Sequence, residues 1–512
     1  MHVRRFHPSR LCWLVATVLV GFTSFVCATA ATPTCADVRS GLLGEGTTWE
    51  TPWRVIESGN PGPTVLVVGG IHGNEPAGFR AAQQIQHWPI ERGKLVVLPR
   101  VNRLGLAAEL RWFPEFRNDR SRRDLNRNFP THDRASALTP LCQAIWRFVT
   151  EHEPDWVFDL HEGFDVHRLN SKSVGSSVIA FPAQAEFATA LQAAVNVDVE
   201  PGRQFDLLAK SGPAQGSLAR ACSEQLGAKS FILETTFKEQ PISRRTRQHR
   251  RMVSTALERI GLIERDCVDL LAPATETGAT RVALFDDSGA NEAKVLRVVD
   301  GRGDVVVRHI GSKDMRPAVL RQFDVIVFPG GSGSKQGNAI GETGREHVRQ
   351  FAQEGGGVVG ICAGAFLCSS HYTWSLDLMN AAVFNKTVEI PGKGRKSMWY
   401  RGGATDVDVD VTEEGADVLG IEGLHSIRYQ NGPILSPGEN PSLPAYRPLA
   451  FFRSENGIYE PQKNTMIGAP AVVLAQFGKG RVLAISPHFE VTKGREAVIL
   501  HSIQHVRRKS SN

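Results

Sequence analysis

Residues 64–75 read Thr-Val-Leu-Val-Val-Gly-Gly-Ile-His-Gly-Asn-Glu, and both the fold and the candidate chemistry can be argued outward from this stretch. The apolar run predicts a buried strand, which Gly69-Gly70 end. His72 and Glu75 then stand three residues apart, on one side of the first turn of a following helix. An imidazole and a carboxylate at this spacing can share one divalent metal ion and leave room for a third ligand and a water molecule. His-x-x-Glu alone is also common as an ordinary surface pair, so the rest of the chain must supply the missing parts.

Length and composition indicate a soluble protein with more than one domain. At 512 residues the chain is too long for one hydrophobic core, and we expect two domains or three. It has 41% hydrophobic and 22% charged residues, an ordinary globular balance. The net charge of +6 is small for this length, so nucleic-acid binding is not indicated. The basic run at 243–251 is expected to be the solvated start of a helix.

The first thirty residues have the pattern of a signal peptide. Three arginines lie within the first ten residues and precede the apolar run 11–26. Ala28-Thr29-Ala30 then offers a cleavage site between small residues. We therefore expect export to the periplasm or the medium, with no stable membrane span after cleavage. An uncleaved membrane anchor is the alternative, because the apolar run is close to spanning length.

Cysteines that remain after such cleavage can pair in an oxidising compartment, although sequence does not reveal their connectivity. They are Cys35, Cys142, Cys222, Cys267, Cys362 and Cys368. Cys35 and Cys267 flank the predicted first domain, so a disulfide between its ends is one option. None of the six shows metal-ligand spacing.

Strands and helices alternate along both halves of the chain, which predicts an α/β fold with two domains. The predicted units are a signal peptide at 1–30, a first domain at 31–270, a linker at 271–280 and a second domain at 281–512. In the first domain, strands are predicted at 48–57, 64–69, 94–101, 155–161, 177–181 and 229–234, and helices at 76–87, 135–152, 183–195, 215–225 and 244–260. In the second, strands are predicted at 281–285, 304–309, 323–328, 357–361, 407–411, 449–452, 471–476 and 482–485, and helices at 342–353 and 493–506.

Three strand ends of the first domain each deliver polar residues. His72 and Glu75 follow one strand, His161 ends a second, and Glu234 ends a third. An α/β sheet places ligands in the crevice at the carboxyl ends of its strands. Two histidines and a glutamate form a catalytic zinc set with one position left for water, and Glu234 is then free to act as a general base.

These motifs, together with Asp124-Leu-Asn-Arg-Asn-Phe-Pro130, resemble the zinc carboxypeptidase superfamily. Residues 45–265 look most similar to its succinylglutamate desuccinylase/aspartoacylase branch and to the related murein-peptide amidases. The resemblance implies one Zn²⁺ ion held by His72, Glu75 and His161.

The same resemblance implies roles for the substrate-binding residues. Asn126 and Arg127 would hold the substrate's carboxylate, since an arginine fork matches a carboxylate in a bidentate pair. Glu234 would be the general base that later protonates the leaving amine. A second arginine often polarises the scissile carbonyl in this family, and Arg120 and Arg123 are the candidates.

One departure from the family separates this chain from carboxypeptidase A-like enzymes. All five tyrosines lie after residue 370. The first domain therefore lacks the late tyrosine that carboxypeptidases of this family use near the terminal carboxylate of the substrate. Asp159, two residues before His161, is either a support for that histidine or a structural residue. Glu162 is expected at the surface.

A second site is centred on Cys362. Gly360-Ile-Cys-Ala-Gly364 forms a sharp turn from strand to helix, where the helix dipole favours a thiolate. His488 and Glu490 follow another strand as a base and the residue that orients it. Pro329-Gly-Gly331 is placed to offer backbone N–H groups as an oxyanion hole.

This second region, residues 281–505, resembles the class I glutamine amidotransferase-like fold. It is most similar to the domain at the N-terminus of some biotin-protein ligases. The resemblance leaves two interpretations open, since Cys362 is either a nucleophile or a pocket residue in a binding module.

The sequence as a whole predicts an exported zinc-dependent hydrolase. Its substrate would be a peptide, such as a murein peptide, with a free carboxylate beside the scissile amide bond. The alternatives are an N-acyl amino acid deacylase of the desuccinylase/aspartoacylase type, or a tethered ligand-binding protein whose Cys362 domain is not catalytic.

Overall fold

Apolar runs bounded by glycine, proline and polar turns form the strands of the protein. The computed structural model describes residues 36–272 and 278–508. The strands are β1 Asp37–Leu43, β2 Thr51–Glu57, β3 Thr64–Gly69, β4 Lys94–Leu98, β5 Trp156–Gly163, β6 Ser177–Ala180, β7 Asp206–Leu208, β8 Lys229–Thr236, β9 Thr280–Phe285, β10 Val305–Ile310, β11 Val325–Phe328, β12 Gly357–Ile361, β13 Ala381–Val383, β14 Thr387–Ile390, β15 Gly394–Ser397, β16 Thr405–Val411, β17 Gly423–Tyr429, β18 Leu435–Pro437, β19 Tyr446–Phe452, β20 Pro470–Phe477 and β21 Gly480–Ile485.

Helices occupy most of the connections between these strands. They are α1 Pro76–Ile85, α2 Arg103–Ala107, α3 Pro140–His152, α4 Ala185–Asn196, α5 Leu218–Leu226, α6 Ile242–Ile260, α7 Ala293–Val299, α8 Pro317–Leu320, α9 Gly333–Gln353, α10 Ala363–Cys368, α11 Glu413–Leu419 and α12 Ala497–Val506. None of these helices is both long and apolar enough to cross a lipid bilayer.

The first sheet has eight strands in the order β1-β2-β4-β3-β5-β8-β6-β7. Its centre is parallel, because β4, β3, β5 and β8 all run in one direction. The carboxyl ends of β3, β5 and β8 therefore meet at one edge of the sheet, as the sequence predicted from their polar terminal residues. Apolar clusters cover both faces of this sheet.

The second sheet has nine strands in the order β10-β9-β11-β12-β21-β20-β19-β16-β17. The half from β10 to β21 is parallel and the half from β21 to β17 is antiparallel. β11, β12 and β21 are neighbours, so their carboxyl ends also share one edge. The predicted α/β fold class with two sheet-rich regions is confirmed.

The two largest differences between predicted and observed helix starts are those of α3 and α9. The helix predicted at 135–152 begins at Pro140, because Thr139 caps it by accepting a hydrogen bond from the Cys142 backbone N–H at 3.2 Å. The helix predicted from residue 342 begins at Gly333. Gly341 has a φ of +70° inside it, and this break hides the first turns from a periodicity argument.

The basic run 243–251 is not a solvated helix start, which corrects the sequence-based expectation. It belongs to α6, where Arg245 and Arg247 are 7% exposed and Arg250 is fully buried. Asp314 of the second region lies 3.2 Å from Arg247 and 3.4 Å from Arg250. Arg247 and Arg250 therefore share a carboxylate from the other half of the chain, and Arg247 also pairs with Asp269 at 3.0 Å.

Glu162 also departs from its expected surface position. It is 4% exposed, pairs with Arg245 and accepts a hydrogen bond from the backbone N–H of Ala77 at 2.7 Å. Since Glu162 follows His161 directly, α6 is linked through this ion pair to the end of β5.

Some predictions concern residues that lie outside the described part of the chain. The predicted signal peptide at 1–30 and Cys35 lie outside it, as do residues 273–277 of the predicted linker. Leu271 and Ala272, at the start of that linker, are buried in a core cluster of the second region. The five cysteines in the described ranges are free and buried.

Candidate active sites

The first site begins where β3 ends. Gly69 allows α1 to approach the strand closely, because a Cβ at this position would lie 2.6 Å from the backbone oxygen of Gly78. Gly70 then turns the chain with a φ of +75°. The turn brings His72 and Glu75 in front of the sheet edge, beside His161 at the end of β5.

The side chains of His72, Glu75 and His161 form a buried cluster that could hold a metal ion. Each is 3% exposed or less. Nδ1 of His72 lies 2.8 Å from Oε1 of Glu75, and Nδ1 of His161 lies 2.8 Å from Oε2. The two Nδ1 atoms are 3.1 Å apart. Three donor atoms thus converge on one point, within 4.8 Å of one another.

A carboxylate oxygen lies close to the Nε2 atom of each histidine. Oδ1 of Asp124 lies 3.0 Å from Nε2 of His72, and Oδ2 of Asp159 lies 3.0 Å from Nε2 of His161. A ligating histidine commonly gives its second nitrogen to a carboxylate, which orients the ring and raises its basicity. The role of Asp124 was missed from sequence, because nothing in its local motif points to a histidine 52 residues earlier.

Glu234 stands beside the cluster, since β5 and β8 pair His161 with Glu234 in register. It is 7% exposed, and its Oε2 atom has no hydrogen-bond partner in the described chain. Burial raises the pKa of Glu234 to about 8. A buried carboxyl without a partner at this edge is what a general base for a bound water requires.

The charges around the cluster favour a cation. Glu75, Asp124, Asp159 and Glu234 surround the two imidazoles. Burial raises the pKa of Glu75, but the two histidines outweigh it and hold that pKa well below its ordinary value. The donor set, its burial and the supporting carboxylates all fit a divalent metal such as zinc.

Asn126, proposed from the resemblance as a substrate ligand, is buried behind the cluster. Its Nδ2 atom lies 3.1 Å from Nε2 of His161, and its Oδ1 atom accepts a hydrogen bond from the Leu218 N–H at 3.1 Å. Arg127 is exposed and donates to its neighbour's carbonyl oxygen. The roles of both residues in substrate binding stay predictions.

The loop that precedes Asn126 brings a different arginine to the cluster from those proposed. Arg120 is exposed, and the Arg123 guanidinium lies over the ring of Trp112. Arg111 instead places Nη1 2.7 Å from Oε1 of Glu75. Sequence reasoning missed Arg111, because many arginines crowd this loop and only tertiary structure selects one.

The second site is built at the carboxyl end of β12. Cys362 has φ of 52° and ψ of −101°, a strained conformation for a residue with a side chain. Gly364 permits this tight turn, because a Cβ there would lie 2.0 Å from the backbone oxygen of Phe328. Such a strand-to-helix turn exposes a nucleophile at the first turn of the following helix.

His488 and Glu490, after β21, complete a triad with Cys362. Nδ1 of His488 lies 2.7 Å from Oε1 of Glu490. Burial lowers the pKa of His488, but its hydrogen bonds to Cys362 and Glu490 raise it to about 10. A Cβ on Gly330 would lie 3.2 Å from the His488 ring and 3.7 Å from Cβ of Cys362, so the Gly330 backbone adjoins both. The three predicted residues are therefore brought together, and their catalytic roles stay predictions.

Comparison with protein families finds a match in each half of the chain. Residues 61–260 match the succinylglutamate desuccinylase/aspartoacylase catalytic domain family. Residues 319–511 match the N-terminal domain of biotin-protein ligase. Both resemblances stated from sequence are confirmed. No curated protein matches the chain.

Solved structures resemble parts of the chain at low identity. Cell shape determinant protein Csd4 from Helicobacter pylori, with a tripeptide bound, is 20% identical over 45% of this chain and 56% of its own, with a TM-score of 0.34. An aspartoacylase family protein from Mesorhizobium loti is 21% identical over 46% of this chain and 71% of its own, with a TM-score of 0.34. The chain thus spans about half the length of the Helicobacter pylori protein, and at these values neither likeness bears on activity or substrate.

Proposed function

We propose that residues 61–260 form a zinc-dependent hydrolase that cleaves an amide bond beside a free carboxylate. The observation that carries the proposal is the cluster of His72, Glu75 and His161 with the unpartnered carboxyl of Glu234 beside it. The match of these residues to the desuccinylase/aspartoacylase catalytic domain family supports it. A site that only bound a metal would have no need of Glu234.

Each part of the site has a separate task in this proposal. His72, Glu75 and His161 would hold one Zn²⁺ ion, which supplies a bound water of lowered pKa and polarises a carbonyl. Glu234 accepts a proton from the attacking water and passes it to the leaving amine. Arg111, whose Nη1 atom lies 2.7 Å from Oε1 of Glu75, would face the carbonyl oxygen of a bound substrate.

The substrate is proposed to be a peptide. Residues 1–30 have the pattern of an export signal, and an exported hydrolase meets cell-wall peptides more readily than cytosolic acyl-amino acids. The family description favours a second candidate, an N-acyl amino acid deacylase, because desuccinylases and aspartoacylases define it. Both candidates share a free carboxylate next to the amide bond.

Metal analysis and a substrate screen test the proposal together. The purified full chain is expected to hold about one zinc per chain and to hydrolyse peptides with a free carboxyl terminus. Glu234→Gln should retain the metal and lose about 10²–10⁴-fold in kcat. Glu186→Gln, on the exposed side of α4, is the matched control and should keep full activity.

The possible results separate the candidates. Hydrolysis of N-succinyl or N-acetyl amino acids, without cleavage of peptides, would favour the deacylase. Full activity of the Glu234→Gln variant would remove this residue as the base, and absence of bound metal would overturn the proposal.

A further inference from the structure

The triad of Cys362, His488 and Glu490 opens into a cavity of about 600 Å³. This volume lies within the range of pockets that enclose a whole small-molecule ligand. The cavity lies in the second region and shares no residue with the metal cluster. The ligand of this cavity is therefore independent of the activity proposed for residues 61–260.

Aromatic side chains form the walls of this cavity. Tyr372 and Trp374 stack in parallel, with ring centroids 4.4 Å apart and an interplanar angle of 7°. The hydroxyl of Tyr372 accepts a hydrogen bond from Asn385 at 3.1 Å, which holds the stacked pair in position. Trp399 and Tyr400, from a separate loop, also line the cavity and are 42% and 44% exposed. Large exposed aromatic side chains around a cavity are typical of binding sites for apolar groups.

The lining of the cavity includes Lys294 but no free carboxylate for the α-ammonium group of a free amino acid such as glutamine. Glu490 is the single carboxylate among the described lining residues, and it is engaged with His488. An α-ammonium group would find no free carboxylate there, and burial of an unpaired charge is unfavourable. A neutral apolar group would instead displace water from the aromatic walls.

The chemistry of the triad is that of acyl transfer. Nδ1 of His488 bonds to Glu490, so the Nε2 atom of His488 can exchange a proton with the thiol of Cys362. The backbone of Gly330 adjoins both His488 and Cys362, since a Cβ there would lie 3.2 Å from the His488 ring and 3.7 Å from Cβ of Cys362. These groups are placed to serve a nucleophile and a developing oxyanion.

We propose that the Cys362 site is a thiol-dependent amidase whose substrates carry a bulky apolar acyl group between the two aromatic walls. Sγ of Cys362 forms a bond to the acyl carbon while the C–N bond of the amide breaks. The thiol proton passes through His488 to the leaving amine. Water then cleaves the thioester, which releases the carboxylic acid and restores the thiol.

A fluorogenic panel tests this assignment on the full chain. The Glu234→Gln variant, which silences the metal centre, is assayed with coumarin amides that carry either a 3-phenylpropionyl or an acetyl group. The phenylpropionyl amide is expected to give a kcat/KM at least tenfold above that of the acetyl amide. Cys362→Ser should abolish turnover of both substrates.

Variants of the aromatic walls show whether the walls select the substrate. Trp399→Ala, at a half-exposed position outside the core clusters, should lower kcat/KM for the phenylpropionyl amide about tenfold and that of the acetyl amide by a smaller factor. Trp374→Phe serves as a second, milder variant. The rate of Cys362 alkylation by iodoacetamide should be the same in both variants as in the parent, which separates lost substrate contacts from a disturbed nucleophile.

Three results would overturn the proposal. Equal hydrolysis of the two amides would remove the role of the aromatic walls. Cleavage of glutamine without cleavage of the bulky amide would identify a glutaminase. No thiol-dependent turnover of any amide, in protein whose Cys362 is alkylated readily, would leave the region as a binding module.

Discussion

Asp124 offers a graded test of the metal centre, because it touches His72 but not the metal position itself. Its Oδ1 atom lies 3.0 Å from Nε2 of His72 and also accepts the backbone N–H of Asn126 at 3.0 Å. Burial raises the pKa of Asp124, but its hydrogen bond to His72 and the charges of His72, Arg111 and Arg127 together outweigh this and lower the pKa to about 2. The residue is therefore a carboxylate at any pH at which the enzyme would be assayed.

The expected magnitude follows from what each substitution removes. Asp124→Asn keeps an oxygen acceptor at the same position but loses its charge, and a charged hydrogen bond is roughly twice as strong as a neutral one. We expect about a tenfold loss of zinc affinity, which corresponds to about 1.4 kcal/mol. Asp124→Ala removes the acceptor altogether and should approach a hundredfold loss, about 2.8 kcal/mol.

Zinc affinity is measured by competition with a chromogenic chelator, with circular dichroism to show that each variant is folded. Asp119→Asn is the matched control, since Asp119 lies in the same loop and bonds to Ser121 and Arg122 rather than to His72. The control should bind zinc as the parent does. Affinities of the Asn and Ala variants equal to that of the parent would refute the role of Asp124, and so would an equal loss in Asp119→Asn.

Two further predictions concern stability. Burial lowers the pKa of His249 to about 3 from an ordinary value of 6.5. The unfolded chain therefore takes up a proton at this histidine at a higher pH than the folded chain does, and the free energy of unfolding falls as the pH drops from about 6.5 towards 3. His249→Gln, which can keep the hydrogen bond to Thr235, should show a smaller decrease in urea midpoint between pH 7 and pH 4.5; an unchanged decrease would refute this cause. Asp314→Ala leaves the fully buried Arg250 without an ion-pair partner among the described residues, while Arg247 keeps Asp269 at 3.0 Å, and it should lower the free energy of unfolding by about 3–5 kcal/mol in urea titration. Asp304→Ala, at an exposed pair, should change it by less than about 1 kcal/mol, and equal losses would contradict the argument.

Ion pairs link the metal cluster to Arg111 and link the neighbouring strand end, through α6, to the second region. Arg111 contacts the proposed ligand Glu75 directly. Arg245 of α6 pairs with Glu162, the residue after His161. The neighbouring arginines of α6 pair with Asp314 of the second region. The end of β5 is thus held by a helix that itself rests on the second region.

Local composition was enough to predict the central strands and the polar residues at their ends. Runs such as 64–69 and 229–233 are apolar and bounded by breakers, and a parallel strand buried on both faces has this composition. Because parallel strands place their carboxyl ends at one edge, the amino-acid sequence was sufficient to group His72, His161 and Glu234. The turn around Cys362 was predictable for the same reason.

The residues that support these groups depend instead on tertiary packing. Asp124 reaches His72 across 52 positions, and Arg111 rather than Arg120 lies beside Glu75, because a long loop without periodicity carries no local signal for its path. The run 243–251 looked solvated because Asp314, the carboxylate that pairs with the fully buried Arg250, lies 64 residues away. The aromatic walls of the Cys362 cavity likewise come from separate loops. Strand ends follow from local composition, whereas the contacts between distant loops depend on how the whole chain packs.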